Sequence, residues 1–302
     1  MGANWLQCLR ELNAVFDQAE VAFAEGRQAA YIPALDASAD MIGATGDPWR
    51  EALWQCWGGF LRVITQGYPE QAMGYCHKAL ALADGKDLSY LRAFAECCKA
   101  QIHLIAGDLL AGQLAGIRAL ATFEARGNIP WACRALWMLS AITNAMEDWG
   151  TSLAYCQRAL AHAQTIAHGR LTVVSLWRTG STLIRSGDPV EGLRWCDAAL
   201  MRAPALFDSM TIDAVQGNGL IHSGHLDDGI ARLEQALAWF KARSLWHDYS
   251  VFGMYLGEGY VQRGENVLAQ NLFEEIVRVS HDRGYGRLET KAKKSLDSLE
   301  KE

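Results

Sequence analysis

Small, apolar and turn-forming positions return along the chain at a nearly fixed interval. The stretch Ser175–Arg202, SLWRTGSTLIRSGDPVEGLRWCDAALMR, shows the unit: a first helix, a break at Gly187, and a second helix opened by Asp188-Pro189. Glycine accepts the left-handed geometry past a helix end, and proline fits a first helical turn. Equivalent breaks fall at Gly67, Gly107, Glu147, Gly187, Gly224 and Gly264, in steps of 40, 40, 40, 37 and 40 residues. A period in this range predicts a stack of helical hairpins.

Side-chain size follows the same register. The column seven before the break reads Phe60, Ala100, Ser140, Gly180, Gly217, Gly257, and the column five after it Ala72, Gly112, Ser152, Gly192, Gly229, Ala269. Twelve after it stand Ala79, Ala119, Ala159, Ala199, Ala236 and Ile276. Only Phe60 and Ile276 are large. Antiparallel helices crossing at about 20° approach to ~8–10 Å only where side chains are small, so these columns mark the contact within each hairpin. Pro204 ends one second helix early, which accounts for the shorter step.

The expected fold is all-α: a right-handed α-solenoid of about seven antiparallel hairpins, some fifteen helices, spanning residues 1–302. Residues 1–46 read as an N-terminal capping hairpin, with Asn4–Gly26 amphipathic and Tyr31–Ile42 its partner. Residues 47–283 carry six repeats, jointed at Asp84–Asp87, Arg126–Pro130, His168–Arg170, Pro204–Asp208 and Ser244–His247. Residues 284–302 form a C-terminal capping helix, strongly polar on one side.

These columns resemble the tetratricopeptide repeat, with glycine in the first helix and at the turn and small residues in the second. Gly257-x2-Tyr260-x3-Gly264 lies closest to that pattern, whereas Phe60, Glu147 and the long unit depart from it. The long period is similar to the C-terminal repeat arrays of bacterial signalling ATPases, such as MalT-like regulators, and of adenylate/guanylate cyclases. The resemblance implies a non-catalytic interaction module of bacterial signalling or transcriptional regulation, with the first helices lining a concave surface.

Composition narrows the chemistry. Half the residues are hydrophobic and only 6 are Pro, which suits helices and opposes disorder. A formal charge of −6 gives no reason to expect nucleic-acid binding. Met1–Phe16 carries Arg10 and Glu11 within any would-be secretory core, and no apolar run approaches the ~18 residues of a membrane span, so a cytoplasmic chain is expected. Of 8 cysteines, Cys76, Cys156 and Cys196 share a column with Leu233 and Phe273, the place of small core residues. His222-x2-His225 with Asp227 and Asp228 reads as a solvated turn, and no Gly-rich phosphate loop occurs. No metal, cofactor or catalytic set is expected.

The informative stripe is the inner face of the first helices. Its candidate binding residues are Trp54, Trp57, Leu61, Gln101, Arg134, Trp137, Asn144, Trp177, Arg178, Ser181, Arg185, Asn218, Met254 and Glu258. The early half is aromatic and aliphatic, and the later half turns polar. Two readings are open: packing between neighbouring helices, or a groove with tryptophan anchors and arginines that orient a ligand. The groove would take a peptide or a partner domain, another domain of the same polypeptide included. A small apolar ligand is the alternative, and an enzyme on the same scaffold the third reading.

Overall fold

The computed structural model describes residues 14–19, 21–22, 25–83, 89–202 and 204–299. Residues 4–13 of the expected opening helix and the joint Asp84–Asp87 lie outside them. Residues 14–19 and 21–22 are helical, and two short helices follow, α1 (Gln28–Ala37) and α2 (Ala39–Thr45). Six hairpins follow: α3 (Pro48–Thr65) with α4 (Pro69–Ala83), α5 (Ser89–Ala106) with α6 (Leu109–Ala125), and α7 (Ile129–Ala145) with α8 (Trp149–Thr165). The next three are α9 (Gly169–Arg185) with α10 (Pro189–Leu200), α11 (Leu206–His222) with α12 (Leu226–Ala242), and α13 (Trp246–Arg263) with α14 (Asn266–Arg283). Helix α15 (Gly286–Leu299) ends the array. The fold is an all-α solenoid, as the spacing predicts, with no strand among the described residues.

Each break in the repeat is a left-handed residue. Gly67, Gly107, Glu147, Gly187, Gly224 and Gly264 all have φ between 63° and 100°. Glu147, at 63°, pays the Cβ clash that its glycine counterparts avoid. Asp108, Asp148 and Asp188, one residue on, accept hydrogen bonds from the backbone N–H groups of Ala111, Thr151 and Glu191, and so cap the second helices.

The small columns are where the paired helices touch. A Cβ on Gly180 would lie 2.6 Å from the Gly192 carbonyl oxygen, and one on Gly192 would lie 2.7 Å from the Gly180 carbonyl oxygen. In the α7–α8 hairpin the same contact is a hydrogen bond, Ser152 Oγ to the Ser140 carbonyl at 3.0 Å. The first full unit departs from the expected register. There Gly59, not Phe60, faces the Ala72 carbonyl, 2.9 Å from where its Cβ would stand. Two successive left-handed residues, Gly67 and Tyr68, set this turn apart and shift the register by one. Phe60 is thereby turned toward the interior of the array.

Curvature follows from which helices meet. First helices of successive hairpins touch (α3 with α5, α5 with α7, α7 with α9, α9 with α11, α11 with α13), so they form an inner layer. The second helices form the outer one. The array then closes on itself, with α13 against α3 and α15 against α5. At the seam the Tyr68 amide donates to the Arg283 carbonyl at 2.7 Å, and the Arg283 guanidinium donates to the Gln66 carbonyl at 2.9 Å. Gly286 lies so near the Ala106 carbonyl that a Cβ would stand 2.8 Å from it. Between them Tyr285, fully buried, packs edge-on against His247 at 5.5 Å.

Candidate functional site

Closure makes the concave surface an interior. The inner helices and α15 surround a chamber of about 280 Å³. Ten of the sequence-predicted residues line it: Trp57, Gln101, Arg134, Trp137, Asn144, Trp177, Arg178, Ser181, Arg185 and Met254. Four lie elsewhere. Trp54 turns to α1, its indole N–H donating to the Leu35 carbonyl at 2.9 Å, because the N-terminal hairpin packs on that face of α3. Leu61 has no exposed surface and belongs to the core. Asn218 is buried within α11 away from the chamber. Glu258 lines a separate cleft outside it, where its carboxylate pairs with Lys291 at 2.9 Å.

One wall is aromatic. Phe60 packs edge-on against Trp57 at 5.8 Å, Trp57 meets Phe94 at 6.1 Å, and Phe94 meets Trp131 at 4.3 Å. Trp137 adds to it with its indole N–H committed to Ser175 Oγ at 3.0 Å. Trp177 differs. It is half-buried, and its enclosed N–H has no acceptor.

The other wall is charged. Arg134, Arg170, Arg178, Arg185, Arg287 and Lys291 line the chamber, against the carboxylates of Asp208 and Asp248. A chain of net charge −6 thus gathers six cations and two acids on its inner surface. Arg170, partly exposed, pairs with the buried Asp208 at 2.9 Å and links α9 to α11. Arg185 donates to Asn144 Oδ1, and Asn144 in turn donates to Thr182 Oγ1 at 3.1 Å. Arg178 lies 4.7 Å over the Trp177 ring with its Nε buried and unbonded.

Enclosure also sets protonation. Arg178, His247 and Asp248 retain accessible surface, but that surface faces the chamber, deep within the protein. Burial pushes the Asp248 carboxyl up to about 7, with the Arg178 charge opposing part of the rise. Burial, helped by the Arg287 charge, pushes His247 down to about 3, so its imidazole is neutral. The Cys97 thiol, also on the lining, is pushed up to about 12 by burial and is a poor nucleophile. The arrangement can hold an apolar body and a negative charge.

Sequence reasoning missed Arg170, Asp208, His247, Asp248 and Arg287. The first four sit in the opening turns of α9, α11 and α13, where an acidic or polar residue reads as a helix-end preference. Arg287 comes from the capping helix, outside the repeat. The shared register of Asp208 and Asp248, each sixteen residues before its break, was the one signal available for two of them.

The remaining expected chemistry is structural. All seven cysteines among the described residues are buried and free, Cys8 lying outside them. His222 and His225 are exposed at their turn. No helix among the described residues is long and apolar enough to cross a membrane.

No protein-family profile and no curated protein matches the sequence. Solved structures do. A Rap protein complexed with competence and sporulation factor matches with a TM-score of 0.58 at 11% identity, over 87% of this chain and 79% of that one. The apo form of RapI matches with a TM-score of 0.60 at 11% identity, over 95% and 99%. Aspartyl phosphate phosphatase F from Bacillus subtilis matches with a TM-score of 0.53 at 9% identity, over 84% and 72%. At such identities the likeness is one of fold. The chain is an α-solenoid of antiparallel helical hairpins, with a fold similar to that of the Rap proteins.

Proposed function

We propose that the protein is a non-catalytic interaction module of a signalling or regulatory system, and that its ligand is a short peptide anchored in the inner chamber. One observation carries this reading. The chamber borders an outer cleft of about 1080 Å³ and shares four lining residues with it, so an apolar side chain in the one would leave the rest of a peptide in the other. Trp177 supplies the anchor, half-buried with an unused N–H. The fold likeness to a Rap protein solved with competence and sporulation factor adds support. A small apolar molecule held wholly inside is the second reading, favoured by the modest size of the chamber, at the low end of small-ligand sites.

Titration of the full chain with a short-peptide library, followed by intrinsic tryptophan fluorescence, tests the reading. Trp177→Ala is expected to weaken a bound peptide by ~2 kcal/mol, about thirtyfold. A peptide that binds the Trp177→Ala variant as tightly as the parent places its site elsewhere and overturns the reading.

A further inference from the structure

The chamber and the cleft meet at a mouth formed by four shared residues, Ala145, Arg185, Arg287 and Lys291. Three of the four are cations. Lys291 is partly neutralised by Glu258. Arg185 makes no ion pair among the described residues; it donates to the Asn144 amide oxygen and lies 4.9 Å over the Trp149 ring. Arg287 makes no ion pair among the described residues, and its Nε is buried without an acceptor. It also stands in the first turn of α15, where the helix dipole is positive and a cation is disfavoured. Arg185 is close enough for its like charge to act on Arg287. Partly buried like charges set together without counter-charge cost free energy, part of which an anion between them would recover.

We infer that Arg185 and Arg287 form an anion subsite at this mouth, which takes the carboxylate of a small apolar acid whose body lies against the tryptophans inside. The inference rests on the chamber being the ligand site. At ~30 Å³ for each water-sized group, the chamber admits a body of roughly nine or ten non-hydrogen atoms, such as an indole or phenyl side chain. The bridge has a second consequence. Arg185 belongs to α9 and Arg287 to α15, and the Arg287 backbone packs on the Gly107 turn. A carboxylate held by both therefore ties the closing helix to the body of the ring. The same carboxylate can come on a free acid or on the end of a short peptide.

Calorimetric titration of the full chain separates these cases, with two matched pairs as probes: indole-3-propionate against its primary amide, and acetyl-Leu-Phe acid against its amide. The acid of at least one pair is expected to bind about tenfold more tightly than its amide, the effect of one charge-assisted contact. Arg185→Gln and Arg287→Gln, on different helices, are each expected to remove that preference. Arg194→Gln, exposed on the outer layer, is expected to preserve it. The pair that shows the preference identifies the source. Equal binding of acid and amide, or a preference that survives both glutamine variants, overturns the anion subsite and leaves the chamber reading standing. Binding of no probe overturns both.

Discussion

The two walls of the chamber are built by different means. The aromatic wall comes from α3, α5 and α7, Trp57 and Trp137 from mid-helix, Phe94 from a second turn and Trp131 from a first, and its rings serve the core as much as the cavity. Trp57 and Trp137 are only 4% and 9% exposed, and the Trp137 N–H is already bonded to Ser175. Most of the charged wall comes from helix ends and the closing segment: Arg170, Asp208 and Asp248 from first turns, Arg185 from a last turn, Arg287 from the cap, with Arg134 and Arg178 from within α7 and α9. Several of its groups, Arg178 and Arg287 above all, are enclosed without full partners. One wall is thus satisfied by packing, and the other holds the unpartnered groups that the proposed ligand would satisfy.

Truncation should separate the walls most sharply. Trp137→Ala empties a packed site and is expected to cost ~3–5 kcal/mol in stability. Trp177→Ala should cost clearly less in stability and most in binding. Melting curves of the two variants check this, and equal losses would erase the distinction.

A smaller effect concerns the charged wall and pH. Asp248, with its carboxyl raised to about 7, favours the folded state at low pH, a contribution lost as pH rises through 7. His247, lowered to about 3, acts oppositely, because the unfolded chain takes up its proton first as pH falls below the ordinary histidine value. Between about pH 4 and 6.5 the two oppose each other. Asp248→Asn leaves His247 acting alone, so this variant should lose more stability than the parent on acidification from pH 6.5 to 4. Denaturant midpoints at both pH values measure it. An unchanged difference would mean that Asp248 titrates as an ordinary surface carboxylate.

The smallest expected change is a gain. Glu147→Gly removes a left-handed non-glycine residue at the rim of the cleft and should stabilise the chain by about 1 kcal/mol. Denaturant unfolding reads the stability, and a loss would show that the Glu147 side chain matters more than its backbone strain.

These differences track what the sequence could reveal. The hairpins were legible because every repeat must solve the same packing problem, so Gly180, Gly192 and their counterparts recur at fixed places. The ten chamber-lining residues among the candidates were legible for the same reason, since they occupy the inner faces of repeated helices. Phe60 misled because one additional left-handed residue, Tyr68, shifts a single unit. The closure was not legible. It joins residues more than two hundred positions apart, Tyr68 with Arg283, through backbone groups that carry no side-chain signature. Arg287 becomes a chamber residue only through that closure.

The amide of Tyr68 therefore tests the account most directly. Its acceptor is the Arg283 carbonyl across the seam, 2.7 Å away, and in an open array that N–H would face water. Hydrogen exchange of the full chain, resolved at this amide, is predicted to be strongly slowed, and slowed further when an acid occupies the chamber. Exchange at the rate of an unstructured peptide would mean that the ring is open and that no enclosed chamber exists.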